Sequence, residues 1–311
     1  MEIGPIVHAP AILERLALEL AAPRGIYLPL RIENDVVGWV DEERADVLAR
    51  FADVFDWRTS GPASALVLNT SLRTVAARTA ALDRVVDALA HEGRLSAWRN
   101  ERYAIATYLG SSPLCLIERA AARFFGIRTY AAHVNGLVRG ESTTMWLARR
   151  SHGKAIDPGM LDNLVGGGIA AGGTVVATMV REAWEEAGIA ADVAAGATAA
   201  GAVRVCRAQP DGLQREVIFA HDLWLRADFV PSNQDGEAVE HRRVSLSEAA
   251  ALIANDCGPN VVTADASLVI LDFMLRQGGV DPDTPVYRAL DALRCPSLEL
   301  SGASYPARGP A

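Results

Sequence analysis

Residues 166–189, Gly166 to Ile189, read GGGIAAGGTVVATMVREAWEEAGI. In its second half, Glu182, Glu185 and Glu186 stand at i, i+3 and i+4 of a segment with helical pattern, so they share one face. Carboxylates that close repel one another. A hard divalent cation with oxygen ligands, Mg²⁺ or Mn²⁺, removes the repulsion, and Arg181 neutralises part of the charge. Gly188 fits a left-handed helix C-cap. An Arg-Glu-x-x-Glu-Glu run alone also occurs on solvated helices. Here it is preceded at a defined distance by a glycine-rich stretch and followed by Gly-Ile.

Outward from this stretch, Thr129 to Leu137 and Ser142 to Arg150 read as strands, with Gly140 in the turn between them. Arg149, Arg150 and Lys154 concentrate positive charge beside the glycines, where backbone amides approach an anion closely. Phosphate contact and a solvated basic loop are both compatible with that placement. The glycines are not a P-loop, because no Gly-Lys-Ser/Thr follows. Downstream, Ala197 to Arg207 and Glu216 to Leu225 read as strands. The acidic loop Asp235 to Glu240 enters a strand ending at Val244. Helices are expected over Glu248–Asn255 and Ala264–Gln277, and the tail after Asp291 is expected to be loosely held.

Upstream, the pattern predicts a helix from Pro10 to Ala21, a hairpin from Ile26–Ile32 and Val36–Val40, and a helix Glu42–Phe51 capped by Asp41. Further helices are expected near Ser71–Glu92 and Pro113–Phe125. The stretch Trp98-Arg99-Asn100-Glu101 mixes an aromatic with charges and could touch a ligand, but reads first as a helix-to-strand junction packed by Trp98 with a local ion pair; Glu118-Arg119 is ambiguous in the same way. A transition near Gly126 gives a small α+β N-terminal domain (1–125), a second domain (126–290) and a tail (291–311).

The chain has 311 residues, half of them apolar, and a net charge of -8. That balance disfavours a nucleic-acid partner and leaves a small phosphorylated molecule open through local basic groups. No apolar run is long enough for a membrane span. The N-terminal segment carries Glu2 and Glu14 and lacks a signal-peptide layout, so a cytoplasmic location is expected. Cys115, Cys206, Cys257 and Cys295 are scattered with no CxxC pair, which indicates neither a zinc site nor a disulfide framework. The Ala- and Arg-rich, Lys-poor composition points to a GC-rich bacterial genome. The oligomeric state is not fixed by the sequence, and a homodimer stays open.

The spacing resembles the Nudix box, Gly-x5-Glu-x7-Arg-Glu-U-x-Glu-Glu-x-Gly-U with U apolar. Gly167 takes the first glycine, and Arg181, Glu182, Glu185, Glu186, Gly188 and Ile189 take the later places. Gly173 stands where the family has its first glutamate, which usually pairs with the arginine. The flanking runs IERAAARFFGIRTYAAHVNGLV, MWLARRSHGKAIDPGMLDNLVGGGIAAG, DGEAVEHRRVSL and VILDFMLRQG are similar to one Nudix subfamily, over roughly residues 20 to 290. Its members carry an N-terminal α/β domain, and in fungi some are fused to thiamine pyrophosphokinase. The subfamily often lacks that first glutamate.

The resemblance implies an α/β/α sandwich with a mixed sheet, and metal-dependent hydrolysis of thiamine diphosphate, or its oxidised analogues, to the monophosphate. Glu182, Glu185 and Glu186, with a carbonyl from the Gly166–Gly168 turn (Gly167), would hold Mg²⁺ or Mn²⁺. A later glutamate, Glu237 or Glu240, would join as ligand or base, with Glu237 the freer of the two. Arg149, Arg150 and Lys154 would bind the diphosphate. Gln214, Trp98 or Trp146 could contact the base. The alternatives are hydrolysis of an ADP-ribose or dinucleotide type of substrate, and a non-catalytic diphosphate sensor supported by Gly173. An isopentenyl diphosphate isomerase would need a catalytic cysteine near the sheet, and none occurs between Cys115 and Cys206.

Overall fold

The structure is a computed structural model that describes residues 4–60 and 63–300. It opens with α1 (Ala9–Glu19), β1 (Tyr27–Ile32), β2 (Asp35–Asp41), α2 (Glu42–Ala49), β3 (Phe55–Ser60), β4 (Ala63–Leu68) and α3 (Val75–His91). The four strands form a sheet in the order β2-β1-β4-β3, with β1 and β4 parallel. Asp41 caps α2 through the Arg44 N–H, as the sequence predicts. The helices cover the sheet around Leu28, Leu30, Leu48, Leu66, Leu82 and Val85, all buried.

Pro113–Phe125 is not a helix. Arg102–Ile105 (β5) and Cys115–Glu118 (β6) pair antiparallel, and one 3-10 turn, Arg119–Ala121, follows. Cys115 and Ile117 are buried in the N-terminal core. The strand satisfies its backbone against β5, and that pairing overrides the local helical preference of the alanines downstream. Trp98 does not pack a junction either. It is 44% exposed and donates to Asn100 Oδ1 at 2.9 Å.

The second half contains β7 (Arg128–Val138), β8 (Thr144–Arg150), β9 (Leu161–Asn163), β10 (Val165–Gly168), α4 (Val175–Ala187), α5 (Ala191–Ala194), β11 (Thr198–Gln209), β12 (Gly212–Leu225), β13 (Ala238–Ser245), α6 (Leu246–Ile253), α7 (Ala264–Arg276) and α8 (Pro285–Leu293). The sheet runs β11-β12-β7-β8-β13, with β10 on β7 and β9 on β8. β7 and β12 are parallel and their neighbours antiparallel, so the sheet is mixed. Strand alternation sorts the two faces. Ala131, Leu137, Ile218 and Ala220 join the core under α7, whereas Ala132, Val134, Val138 and Leu223 join the core under α4. This is the expected α/β/α sandwich.

Two segments sit elsewhere than expected. α1 packs on the α7 side of the second domain, with Ile12 and Leu16 fully buried there. Its Arg15 donates to the carbonyls of Ile253 and Val262. Residues 294–300, expected to hang loosely, are tied down: Leu298 is buried and its carbonyl accepts from Arg215 Nε at 2.7 Å. Glu299 pairs with Arg128 and Arg215. Residues 301–311 of the expected tail lie outside the described residues.

Candidate active site

Thr174 caps α4 by accepting from Ala177 N–H, and Gly188 ends it in the left-handed region at φ 65°. The helix buries Thr178, Met179, Glu182, Ala183, Glu186 and Ala187. Glu182 and Glu186 therefore lie one turn apart on the packed face, each 8% exposed. Glu185 lies toward the rim. Arg181 donates to Glu182 Oε1 and to Glu185 Oε2, both at 2.6 Å. The arginine that would pair with the absent glutamate at Gly173 is thus already held by two carboxylates of the helix itself.

The packed face of α4 meets β10. Gly166–Gly168 is not a turn but part of this strand, registered against His133, Ala132 and Ala131. The Gly166 N–H donates to Glu186 Oε2 at 2.8 Å. A Cβ at Gly167 would collide with the Glu182 carboxylate, and one at Gly168 with the Tyr103 hydroxyl. Only glycine lets a carboxylate and a phenol from different elements close on this backbone.

Burial raises the pKa of both carboxyls. For Glu186, desolvation and then the charge of Glu182 push it up to about 8. For Glu182, desolvation raises it against the opposing pull of Arg181.

Glu182 and the Gly166–Gly168 backbone line a cavity of about 440 Å³ between the two domains, and Glu186 lies behind them. Arg150, Lys154, Glu237 and Gln214 also line it. Arg150 donates to Asp162 Oδ2 at 2.7 Å. Lys154 forms an ion pair with Glu237, which also takes Arg99 Nη1 at 3.2 Å. Burial lowers the Lys154 pKa. At the other end Gln214 is fixed on all sides. Its Oε1 accepts from Arg207 Nε at 2.9 Å, and its Nε2 donates to Glu216 and Asp265, each at 3.0 Å.

Arg149 is not at this cavity. It points to the α7 side, where it pairs with Glu240 at 2.6 Å and donates to the Gly159 and Pro259 carbonyls and to Asn260 Oδ1. Residues 149 and 150 are neighbours on one strand, so their side chains leave on opposite faces. Glu240 goes with Arg149, leaving Glu237 as the later glutamate on the cavity wall. Trp146 is buried in the core under α4. Reading the sequence did not single out Asp162, His133 or Tyr103, all on the wall, and it left Arg119, which is there too, open between ligand contact and a structural role. Asp162 carried a signal, since it lies between the basic residues and the glycines, whereas His133 reaches the site through the pairing of β7 with β10. Tyr103 and Arg119 come from the N-terminal domain, and no local pattern brings them here.

Among the described residues, no three His, Cys, Asp or Glu side chains converge as a cation site in this arrangement. Glu185 is turned to Arg181, and Glu186 to a backbone N–H. The donors nevertheless fit a hard cation. Two buried carboxylates with raised pKa values sit one turn apart beside a half-buried third, next to a glycine backbone with no side chains in the way.

Comparison with known proteins agrees with this geometry. The NUDIX domain family matches residues 129–262, and a domain of unknown function, DUF4743, matches residues 15–129. Nudix hydrolase 20 of Arabidopsis thaliana, named chloroplastic, is 35% identical over 269 residues, 85% of this chain and 71% of that one. The chain belongs to the Nudix hydrolase family. Nudix hydrolase 24 of the same plant, also named chloroplastic, is 36% identical over 264 residues, 85% of this chain and 71% of that one. An uncharacterized protein of Saccharomyces cerevisiae is 33% identical over 202 residues, 60% of this chain and 57% of that one. Nudix hydrolases generally use divalent metal ions. No helix among the described residues is long and apolar enough to cross a membrane.

Proposed function

We propose that this Nudix hydrolase cleaves the diphosphate bond of a small molecule bound in the interdomain cavity, and that the substrate is thiamine diphosphate or an oxidised analogue, released as the monophosphate. The observation that carries the reading is Glu182 on the wall of a cavity that also holds Gly166–Gly168, Arg150, Lys154 and Glu237, with buried Glu186 one helical turn further on and bonded to the Gly166 N–H. A divalent cation, Mg²⁺ or Mn²⁺, bound by Glu182, Glu185, Glu186 and the Gly167 carbonyl would supply Lewis-acid polarisation and an acidified water. Lys154 and Arg150 balance the charge of the diphosphate. Glu237 would take a proton from the attacking water once it leaves Lys154.

The thiamine assignment rests on the subfamily resemblance. The far wall is of mixed charge, with Glu216, Asp157 and Asp265 beside Arg123, Arg207 and Arg215. The sensor alternative keeps its one support, Gly173, because the partners of Arg181 in this structure are Glu182 and Glu185, the carboxylates that would hold the metal.

The test is a hydrolysis screen with Mg²⁺ or Mn²⁺ on thiamine diphosphate, its oxidised forms, ADP-ribose and dinucleotides. The highest kcat/KM is expected on the thiamine group. Preference for ADP-ribose or a dinucleotide overturns the substrate. Binding without turnover across the panel overturns the enzyme reading in favour of a sensor.

A further inference from the structure

The N-terminal domain reaches the cavity through the segment 96–101. Ala97 and Asn100 both lie in the left-handed region, at φ 63° and 55°, where residues with a side chain are strained. The strain is held in place from three sides. Buried Glu118 accepts from the Arg99 N–H at 3.1 Å. The Glu101 carbonyl accepts from Arg119 N–H at 2.8 Å. The Arg102 carbonyl accepts from Ala171 N–H, also at 2.8 Å, which fastens β5 to the loop before α4. What this strained segment delivers is one guanidinium, that of Arg99, onto the cavity wall beside Lys154.

Arg99 and Lys154 share a single carboxylate, Glu237, although they come from different domains. Glu237 thus divides its two oxygens between two cations, Oε1 to Arg99 and Oε2 to Lys154, while Arg150 on the same wall is held by Asp162. A diphosphate offers both cations more acceptor oxygens than Glu237 does.

We propose that Arg99 is an anion-binding residue of the substrate cavity, delivered by the N-terminal domain, and that Arg99 and Lys154 exchange Glu237 for the diphosphate of the substrate. The inference rests on reading the cavity as a diphosphate site. It gives the N-terminal domain a task in substrate recognition and ties release of Glu237 to substrate arrival. The strain at Ala97 and Asn100 is the cost of holding the guanidinium in position before the ligand comes.

The test uses the full chain and inorganic pyrophosphate as probe, with binding measured by calorimetry at low salt and without metal. Wild type is expected to bind it. R99A should weaken binding by about tenfold, the loss of one charge-assisted contact, and R99K should recover part of it. E237A should bind more tightly than wild type, because the competitor for both cations is gone. Equal affinity of R99A and wild type, no binding by wild type, or weaker binding by E237A overturns the proposal. Thermal melts accompany each variant, so a folding defect in R99A is visible as such, and E237A then carries the decision by its opposite sign. A wild type that binds pyrophosphate through Arg99 but cleaves no diphosphate would sink the hydrolytic reading and leave this one standing.

Discussion

Replacing Glu186 by Gln should make the metal-free protein more stable while removing its activity. The Glu186 carboxyl moves from an ordinary 4.5 to about 8 on folding, first by desolvation and then by Glu182. A raised carboxyl pKa means that the folded state holds the proton more tightly than the unfolded state. Its contribution is fully favourable below pH 4.5 and is lost as pH rises through 8. At pH 7 the two pKa values correspond to a penalty of about 3 kcal/mol, and at pH 5.5 to less than about half of that. Gln carries no charge to desolvate, and its carbonyl can still accept from Gly166 N–H.

Thermal or urea unfolding in EDTA, at both pH values, should therefore show E186Q above wild type by several degrees at pH 7, at roughly 2–4 °C per kcal/mol for a chain of this size. The gap should shrink by about half at pH 5.5. Added Mg²⁺ should raise wild type and leave E186Q nearly unmoved. A metal-free E186Q no more stable than wild type at pH 7, or a gap that does not shrink at lower pH, would refute the reasoning.

Four further outcomes separate the roles of neighbouring residues. R149A should lower stability by about 1–3 kcal/mol through the carbonyls and the Glu240 carboxylate it leaves unpaired, with kcat/KM within twofold of wild type, measured on the best substrate of the panel. E237Q should lower kcat by a factor of about 100, whereas E240Q, on the other face, should leave it unchanged in the same assay. G167A should cut activity sharply by displacing the Glu182 carboxylate, and titration of Mg²⁺ should show weakened metal dependence. G173E, which restores the family's usual glutamate, should leave kcat within about twofold, because Arg181 is already engaged by Glu182 and Glu185; steady-state kinetics decides it.

The sequence made the core of the site legible because α4 carries its own rules. Three glutamates at helical spacing, a threonine cap and a terminal glycine all act within a few residues. The long strands β7 and β12 were legible for the same reason, through alternation and apolar content. Elements decided by distant partners were not. β10 is mostly glycine, with no propensity for a strand, and exists because β7 offers it a register. β6 follows from β5, and its downstream alanines pointed toward helix. Arg149 and Arg150 look equivalent as charges. The alternation that also sends Leu147 and Trp146 to opposite cores could have told them apart. The pairing of Arg99 with Glu237 joins residues 138 positions apart in different domains, and nothing in either neighbourhood announces it.

The central claim, that the Glu182–Glu186 face is the seat of diphosphate hydrolysis, is tested most directly by phosphate release from thiamine diphosphate and its oxidised forms in Mg²⁺, comparing wild type with E182Q and E186Q. Wild type should give monophosphate and inorganic phosphate, with none in EDTA, and both variants should lose several powers of ten in rate. Turnover by either variant at the wild-type rate would contradict it.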